Sequence, residues 1–199
     1  MPYPAGSRLG QDFYARPVET VARDLVGRVL VRRDPAGRVA LRLVEVEAYL
    51  GEGQDPASHA HRGPTPRNRQ MFETPGRLYE YLSDGVHHCL NVVCEPAGHG
   101  AAVLLRAAEV LEGEALLGTR RGQTGVGIAN GPGKLGQALA ADLRWDGRTL
   151  LRGELGLWPG SPPRKIASSP RIGISQAKEL QLRFFDPASA CLSRHRPAL

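Results

Sequence analysis

The run Leu41-Arg42-Leu43-Val44-Glu45-Val46-Glu47-Ala48-Tyr49 sets two glutamates at alternate positions of a largely apolar segment. In an extended strand, side chains two apart share a face, so Glu45, Glu47 and Tyr49 would project together, roughly 6–7 Å apart. Burying carboxylates without partners is costly, so such a face needs either a purpose or water. Two readings fit the pattern. One is a carboxylate-bearing face that does chemistry. The other is an edge strand with a wet polar face and Glu45 paired to an arginine.

The segments around this strand predict an α+β fold with a mainly antiparallel sheet, since strands and helices do not alternate regularly. Val18, Val21, Ala22, Leu25 and Val26 recur at helical spacing between Pro17 and Gly27. Val29–Arg33 and Val39–Tyr49 read as a hairpin around Asp34-Pro35-Ala36-Gly37. Leu78–Ser83 and Val86–Val93 read as a second hairpin joined by Asp84-Gly85, a favoured two-residue turn. A strand over Ala101–Ala107 follows, then helices over Glu109–Leu117 and Pro132–Ala141. Shorter strands are expected over Arg148–Leu157, Arg171–Ser175 and Leu180–Phe185. Between the hairpins, Gly51–Gly76 is rich in Gly, Pro, His, Arg and Asn, with little to bury except Met71 and Phe72. Thr65-Pro66 suits the opening of a short helical turn there. Long irregular stretches of this kind are usually functional or mobile.

At 199 residues the chain suits one domain, 1–199, with a sizeable core. No apolar run is long enough to span a bilayer, and Met1–Gly10 lacks a secretion-signal pattern. Three cysteines, Cys89, Cys94 and Cys191, leave one unpaired in any internal scheme, which argues for a reducing compartment. A cytoplasmic protein is expected. The formal charge of +6 permits a polyanionic partner. The basic residues are 23 Arg against Lys134, Lys165 and Lys178, a bias that a GC-rich genome also produces, so charge alone does not select nucleic acid.

The second hairpin offers a set to match the glutamates. Tyr79 and Tyr81 share one face of its first strand, and His87, Cys89 and Asn91 share one face of its second. Aromatic rings beside a fixed amide suit a flat heterocycle, though core tyrosines with a satisfied asparagine give the same pattern. His59, His61, His87, His88 and Cys89 raise the possibility of zinc, but adjacent His87 and His88 point to opposite faces and no tight ligand motif is present. No metal and no cofactor are expected. Gly131-Pro132-Gly133-Lys134 lacks the strand and spacing of a phosphate loop, although its backbone N–H groups can still meet a phosphate.

Four segments, in order, resemble one family. They are Leu43–Gly51 with its Glu-Ala-Tyr-Leu-Gly, Asp55-Pro56-Ala57-Ser58-His59, Thr65-Pro66-Arg67-Asn68-Arg69 with Met71-Phe72, and Gly76–Val93 running on to Leu105-Arg106-Ala107. Asn130–Leu135, Arg171-Ile172-Gly173 and Leu182-Arg183-Phe184 add to the match, which covers nearly the whole chain. The chain resembles the alkyladenine (3-methyladenine, methylpurine) DNA glycosylase family. The resemblance implies a compact α+β domain with a curved antiparallel sheet, surrounding helices and a protruding hairpin that enters the DNA minor groove. It implies an enzyme of base excision repair that acts on double-stranded DNA containing damaged purines, so that nucleoid association is expected; nothing in the sequence suggests more than a monomer. It assigns Glu47 to hold and deprotonate the attacking water and Arg106 to position it. Tyr49, His59 and Tyr81, with Tyr79 beside them, would cage the flipped base, and Asn91 would crowd the amino group of normal guanine. Asp84, Gly85, Val86, Arg67, Asn68 and Lys134 are expected at the DNA.

No lysine lies in the matched pocket segments to form a Schiff base, so a monofunctional enzyme that leaves an abasic site is expected. Two alternatives stay open: a non-catalytic damaged-DNA binding protein, and a zinc-dependent hydrolase built on the histidines. One departure from the family pattern stands out. At the hairpin tip, where better-known members carry a tyrosine wedge, this chain has Asp84. A carboxylate near phosphates is repulsive and stacks poorly, which predicts weaker duplex binding or base flipping.

Overall fold

A computed structural model describes residues 6–193; residues 1–5, which open the Met1–Gly10 segment, and residues 194–199 lie outside the described part. Two helices lead in, α1 (Gln11–Tyr14) and α2 (Val18–Leu25). The α2 residues Val18, Val21, Ala22 and Leu25 are buried, as their spacing requires. With Pro17 unable to cap by side chain, the Glu95 carboxylate accepts the Val18 N–H at 2.8 Å. Gly27 ends the segment at φ +93°, where an added Cβ would stand 2.7 Å from the Ser161 carbonyl oxygen.

The remaining elements are β1 (Val29–Asp34), β2 (Gly37–Tyr49), β3 (Leu78–Ser83), β4 (His87–Cys94), β5 (Ala101–Glu112), α3 (Glu114–Arg121), α4 (Pro132–Ala138), β6 (Leu155–Trp158), β7 (Ala167–Ser169) and β8 (Arg183–Phe185). The strands run β3-β4-β5-β2-β1-β6 in a curled sheet, with β8 also on β2 and β7 on β8. Every pairing among these strands is antiparallel. The α+β class and both expected hairpins are present.

β2 is the central strand, and its register explains the acidic face. β5 lines one edge of it, while β1 covers the start of the other edge and β8 covers Glu45–Glu47. The β5 pairing slips between Leu43, opposite Ala108, and Glu45, opposite Ala107, so Val44 is the extra residue of a bulge. The slip changes which side chains meet the main core. Before it, Val39, Leu41 and Leu43 pack there; after it, Val46 and Ala48 do. Glu45, Glu47 and Tyr49 are thereby aimed together at the other face of the sheet. The edge-strand alternative does not hold, because β2 is paired along both sides and both glutamates are fully buried.

Several expected boundaries move for tertiary reasons. Glu109–Glu112 belongs to β5 rather than to a helix, since Val110 and Glu109 pair with Leu41 and Arg42 and the Arg42 guanidinium meets the Glu109 carboxylate at 2.8 Å. Helix α3 begins only after Gly113, at φ +81° with a Cβ position 2.8 Å from the Arg38 carbonyl oxygen. Helix α4 stops at Ala138, short of Ala141, with Ala140 in the left-handed region. Of Arg148–Leu157 only the end is strand, because the Arg148 and Leu150 N–H groups go to the Trp145 and Gly76 carbonyls instead of a ladder. Arg171–Ser175 is not a strand at all. β8 is shorter than Leu180–Phe185. The second hairpin resumes at His87, not Val86: Asp84–Val86 is the loop, closed by the Val86 N–H on the Ser83 carbonyl at 3.0 Å.

Among the described residues no helix is long and apolar enough to cross a membrane. Cys89, Cys94 and Cys191 are all free thiols.

Candidate active site

Arg106, from β5, lies between the two glutamates of β2. Its Nε donates to Glu45 Oε1 at 3.0 Å and its Nη1 to Glu47 Oε2 at 3.1 Å. Its Nη2 donates to Ser193 Oγ at 3.1 Å. Glu45 is then saturated: it also accepts from Arg183 Nε at 2.8 Å and from Ser193 N–H and O–H at 2.6 and 2.7 Å. Burial opposes its ionisation, but Arg106, Ser193 and Arg183 outweigh burial, and the Glu45 carboxyl is held below the usual range.

Glu47 has fewer partners. It accepts from the Ile172 N–H at 2.7 Å and from the Tyr49 hydroxyl at 3.0 Å, in addition to Arg106. Here burial wins over Arg106, Ile172 and Tyr49, and the Glu47 carboxyl is raised above the ordinary carboxylate value. A carboxylate offers about four acceptor sites. Three are taken, which leaves one for a further donor such as water. Glu45 therefore reads as a fixed anion that anchors Arg106, and Glu47 as the group whose proton affinity is tuned.

Beside this pair lies a cavity of about 270 Å³ lined by Tyr49, Pro56, Ala57, His59, Met71, Tyr79, Tyr81, Asn91, Gly173, Ile174 and Ser175. Tyr49 lines it directly and Ile172 precedes the lining residue Gly173, so Glu47 sits behind the cavity wall at one hydrogen bond's remove. The β3–β4 register builds the opposite side: Tyr79 pairs with Asn91 and Tyr81 with Cys89, which puts all four on one face. The Tyr79 and Tyr81 rings stack with centroids 5.7 Å apart and planes 30° apart. His59 meets Tyr81 edge-on at 4.7 Å, and its Nδ1 is 2.8 Å from the Tyr79 hydroxyl. Burial and then the Arg67 charge lower the His59 pKa, so the imidazole is neutral at pH 7. Burial pushes the Tyr79 phenol up to about 12. Asn91 donates its amide protons to the Tyr79 and Cys89 carbonyls at 3.0 and 3.4 Å, which leaves an acceptor as its remaining function.

Asn68, expected at the DNA, is 3% exposed. Its Nδ2 donates to the His59 and Gly63 carbonyls at 2.7 and 3.1 Å, and its Oδ1 accepts from Thr65 N–H and O–H at 2.6 and 2.9 Å. All of its hydrogen-bonding capacity is spent on the loop, so it holds His59 rather than reaching outward. Arg67, Asp84, Gly85, Val86 and Lys134 are all exposed, and Lys134 Nζ donates to Asn130 Oδ1 at 2.7 Å. The histidines do not gather. His88 Nδ1 is bonded to Glu80 on the other face of the hairpin from Tyr79, and among the described residues no three His, Cys, Asp or Glu side chains converge to hold a metal ion.

The family model for methylpurine-DNA glycosylase matches residues 12–190. The chain belongs to the methylpurine-DNA glycosylase family. A relative from Methanocella arvoryzae, provisionally named 3-methyladenine DNA glycosylase, is 48% identical over 195 residues, covering 95% of this chain and 97% of its own length. Relatives from Streptomyces avermitilis and Frankia casuarinae, with the same provisional name, are each 46% identical, covering 86% and 94% of this chain and 84% and 93% of their own.

This methylpurine-DNA glycosylase family member also holds site residues that pattern reading passed over. Asp55 and Arg171 form a fully buried ion pair, with Nη2 donating to Oδ1 at 2.8 Å. Asp55 also accepts the Leu50 and Ala57 N–H groups at 3.2 and 3.0 Å. Arg171 donates to the Ala48 carbonyl at 3.0 Å, and its Cζ lies 4.6 Å from the centre of the Tyr49 ring. Both residues lie inside motif segments, but with 116 positions from one to the other no local pattern signals that they pair.

Proposed function

We propose that this chain is a monofunctional DNA glycosylase of base excision repair, which hydrolyses the N-glycosidic bond of an alkylated purine flipped from the duplex. The observation that carries the reading is Glu47, with one acceptor site unspent and a raised pKa, directly behind an aromatic cavity sized for a flat base. A water held between Glu47 and Arg106 attacks the sugar C1′. Its proton passes to Glu47, and the C1′–N bond breaks with its electron pair leaving on the base.

An alkylated base that is already cationic departs neutral, so no second acid is needed. The two-carboxylate arrangement of sugar hydrolases is correspondingly missing in function: Glu45 is tied to Arg106, Arg183 and Ser193. The negative charge of Glu47 also favours the cationic sugar of the transition state. Tyr49, His59 and Tyr81 hold the base, Tyr79 orients His59, and electron-rich ring faces favour a cationic lesion. Asn91 presents an acceptor beside the base and crowds the amino group of guanine. Arg67 and Lys134 meet phosphates, and the hairpin tip Asp84-Gly85-Val86 approaches the minor groove.

The test uses duplexes that each carry one 3-methyladenine, 7-methylguanine, hypoxanthine or ethenoadenine, treated afterwards with alkali to cut abasic sites. Strand breaks should appear only after alkali, and for at least one methylated purine. In Glu47→Gln, binding to damaged duplex should persist while base release falls by roughly 10²-fold or more. Undiminished release by Glu47→Gln, or breaks without alkali, would sink the proposal.

A further inference from the structure

The Arg171 guanidinium lies over the Tyr49 ring at 4.6 Å, yet Arg171 does not line the cavity that Tyr49 lines. The cation therefore backs the ring. A buried ion pair such as Arg171–Asp55 is often no more stabilising than apolar residues of the same volume. Its Nε is, moreover, buried without a partner. Such a charge pair, set against one wall of the site, has an electrostatic consequence there. A π face attracts cations through its negative quadrupole. A guanidinium on the far side draws on the same quadrupole and adds its own positive potential, while Asp55 on the guanidinium's edge offsets part of it.

We infer that the Asp55–Arg171 pair, stacked behind Tyr49, sets how strongly the cavity discriminates cationic from neutral purines, acting as a specificity-determining pair that never touches the base. Arg171 weakens the pull of the Tyr49 face on a cation, and Asp55 restores part of it. The wall is thus less selective for positive charge than three bare aromatic groups would be, which widens acceptance to neutral lesions. This rests on the flipped-base reading above.

The two partners act in opposite senses, and a purely structural role would not. The measured quantity is the preference for a cationic over a neutral base, taken as the ratio of dissociation constants for two duplexes. One carries 2′-fluoro-7-methylguanosine, a cationic base whose sugar resists hydrolysis, and the other 2′-fluoroinosine, its neutral counterpart. In Arg171→Met with Asp55→Asn, which removes both charges together, the preference for the cation should rise about fivefold, the size of one cation–π contact. In Asp55→Asn alone, which leaves the guanidinium uncompensated, it should fall by roughly threefold. If Asp55→Asn does not fold, the rise in the double variant, which leaves no unpaired buried charge, still decides. Equal loss of both lesions, with an unchanged ratio in folded variants, overturns the inference. If the unaltered chain binds neither duplex better than undamaged DNA, the flipped-base reading itself fails, and this inference with it.

Discussion

Glu45 and Glu47 accept from the same guanidinium, Arg106, at 3.0 and 3.1 Å, yet their carboxyls are pushed in opposite directions. The difference lies in their other partners. Glu45 gains Arg183 and both donors of Ser193, whereas Glu47 gains one backbone N–H and one phenol.

This asymmetry predicts unequal costs of neutralisation. Glu45→Gln leaves Arg106 and Arg183 facing a neutral amide and should destabilise the fold by about 3–5 kcal/mol, the cost of breaking a buried pair. Glu47→Gln removes a charge that the site already disfavours and should cost less, roughly 1.5–3 kcal/mol, one lost charged hydrogen bond. Urea unfolding of both variants at pH 7 measures this. Equal losses would show that the two carboxylates are not differently held.

A pH dependence follows from the same shifts. Glu47 must be ionised to take a proton, and its pKa is raised, so kcat/KM for excision of a cationic lesion should fall with decreasing pH, with a midpoint above the free glutamate value of about 4.3. For stability the signs differ. The lowered pKa of Glu45 gives stabilisation that is full above its unfolded value and lost as pH falls through its folded value. The raised pKa of Glu47 gives stabilisation that is full below its unfolded value and lost as pH rises through its folded value. An acid limb at or below the free glutamate value would remove Glu47 as the titrating base.

The sequence made some of this site legible and hid the rest, for physical reasons. The shared face of Glu45, Glu47 and Tyr49 follows from strand periodicity, whereas the bulge at Val44, which turns that face away from the side of Leu41 and Leu43, is set by the β5 register and was not legible. Tyr79, Tyr81, Cys89 and Asn91 were likewise readable, because a hairpin register is local. What failed were features fixed by distant partners. Glu109–Glu112 has a helix-compatible composition, but Leu41 and Arg42 hold it as strand. Ile172 spends its N–H on Glu47, 125 positions earlier, and no local pattern signals that. Asn68 carried a motif, yet only its buried contacts reveal that it serves the loop.

Asn68 gives a prediction about that loop. Asn68→Ala strands the His59 and Gly63 carbonyls and the Thr65 N–H, and should cost about 1–3 kcal/mol as unsatisfied buried groups. Hydrogen exchange should accelerate over residues 59–65 before it does in β2 or β5. Excision should suffer through a higher KM, since His59 loses its backbone anchor. Unchanged exchange in this segment would mean that Pro and Gly alone hold the loop.

The hairpin tip supplies the last prediction. Asp84 sits at φ +50°, followed by Gly85 at φ +71°, a turn that suits Asp, Asn and Gly and disfavours bulky side chains. A tyrosine at this position therefore carries a conformational cost of about 1 kcal/mol, and Asp84→Tyr should lower stability by that amount. Against this, the ring can fill the gap left by a flipped base, while the change removes a carboxylate that repels phosphate. Stacking on a base is worth about 1–3 kcal/mol, so affinity for a lesion duplex should rise at least about fivefold. Asp84→Asn keeps the turn and removes only the charge, so it separates repulsion from plugging: a gain in both variants means repulsion, and a gain in tyrosine alone means plugging. The residue between tip and strand, Val86, is 67% exposed and remains in both variants as the available apolar contact. If neither variant changes affinity or excision of a stably paired lesion, the tip takes no part in holding the duplex open, and Arg67 and the loop around it become the place to look.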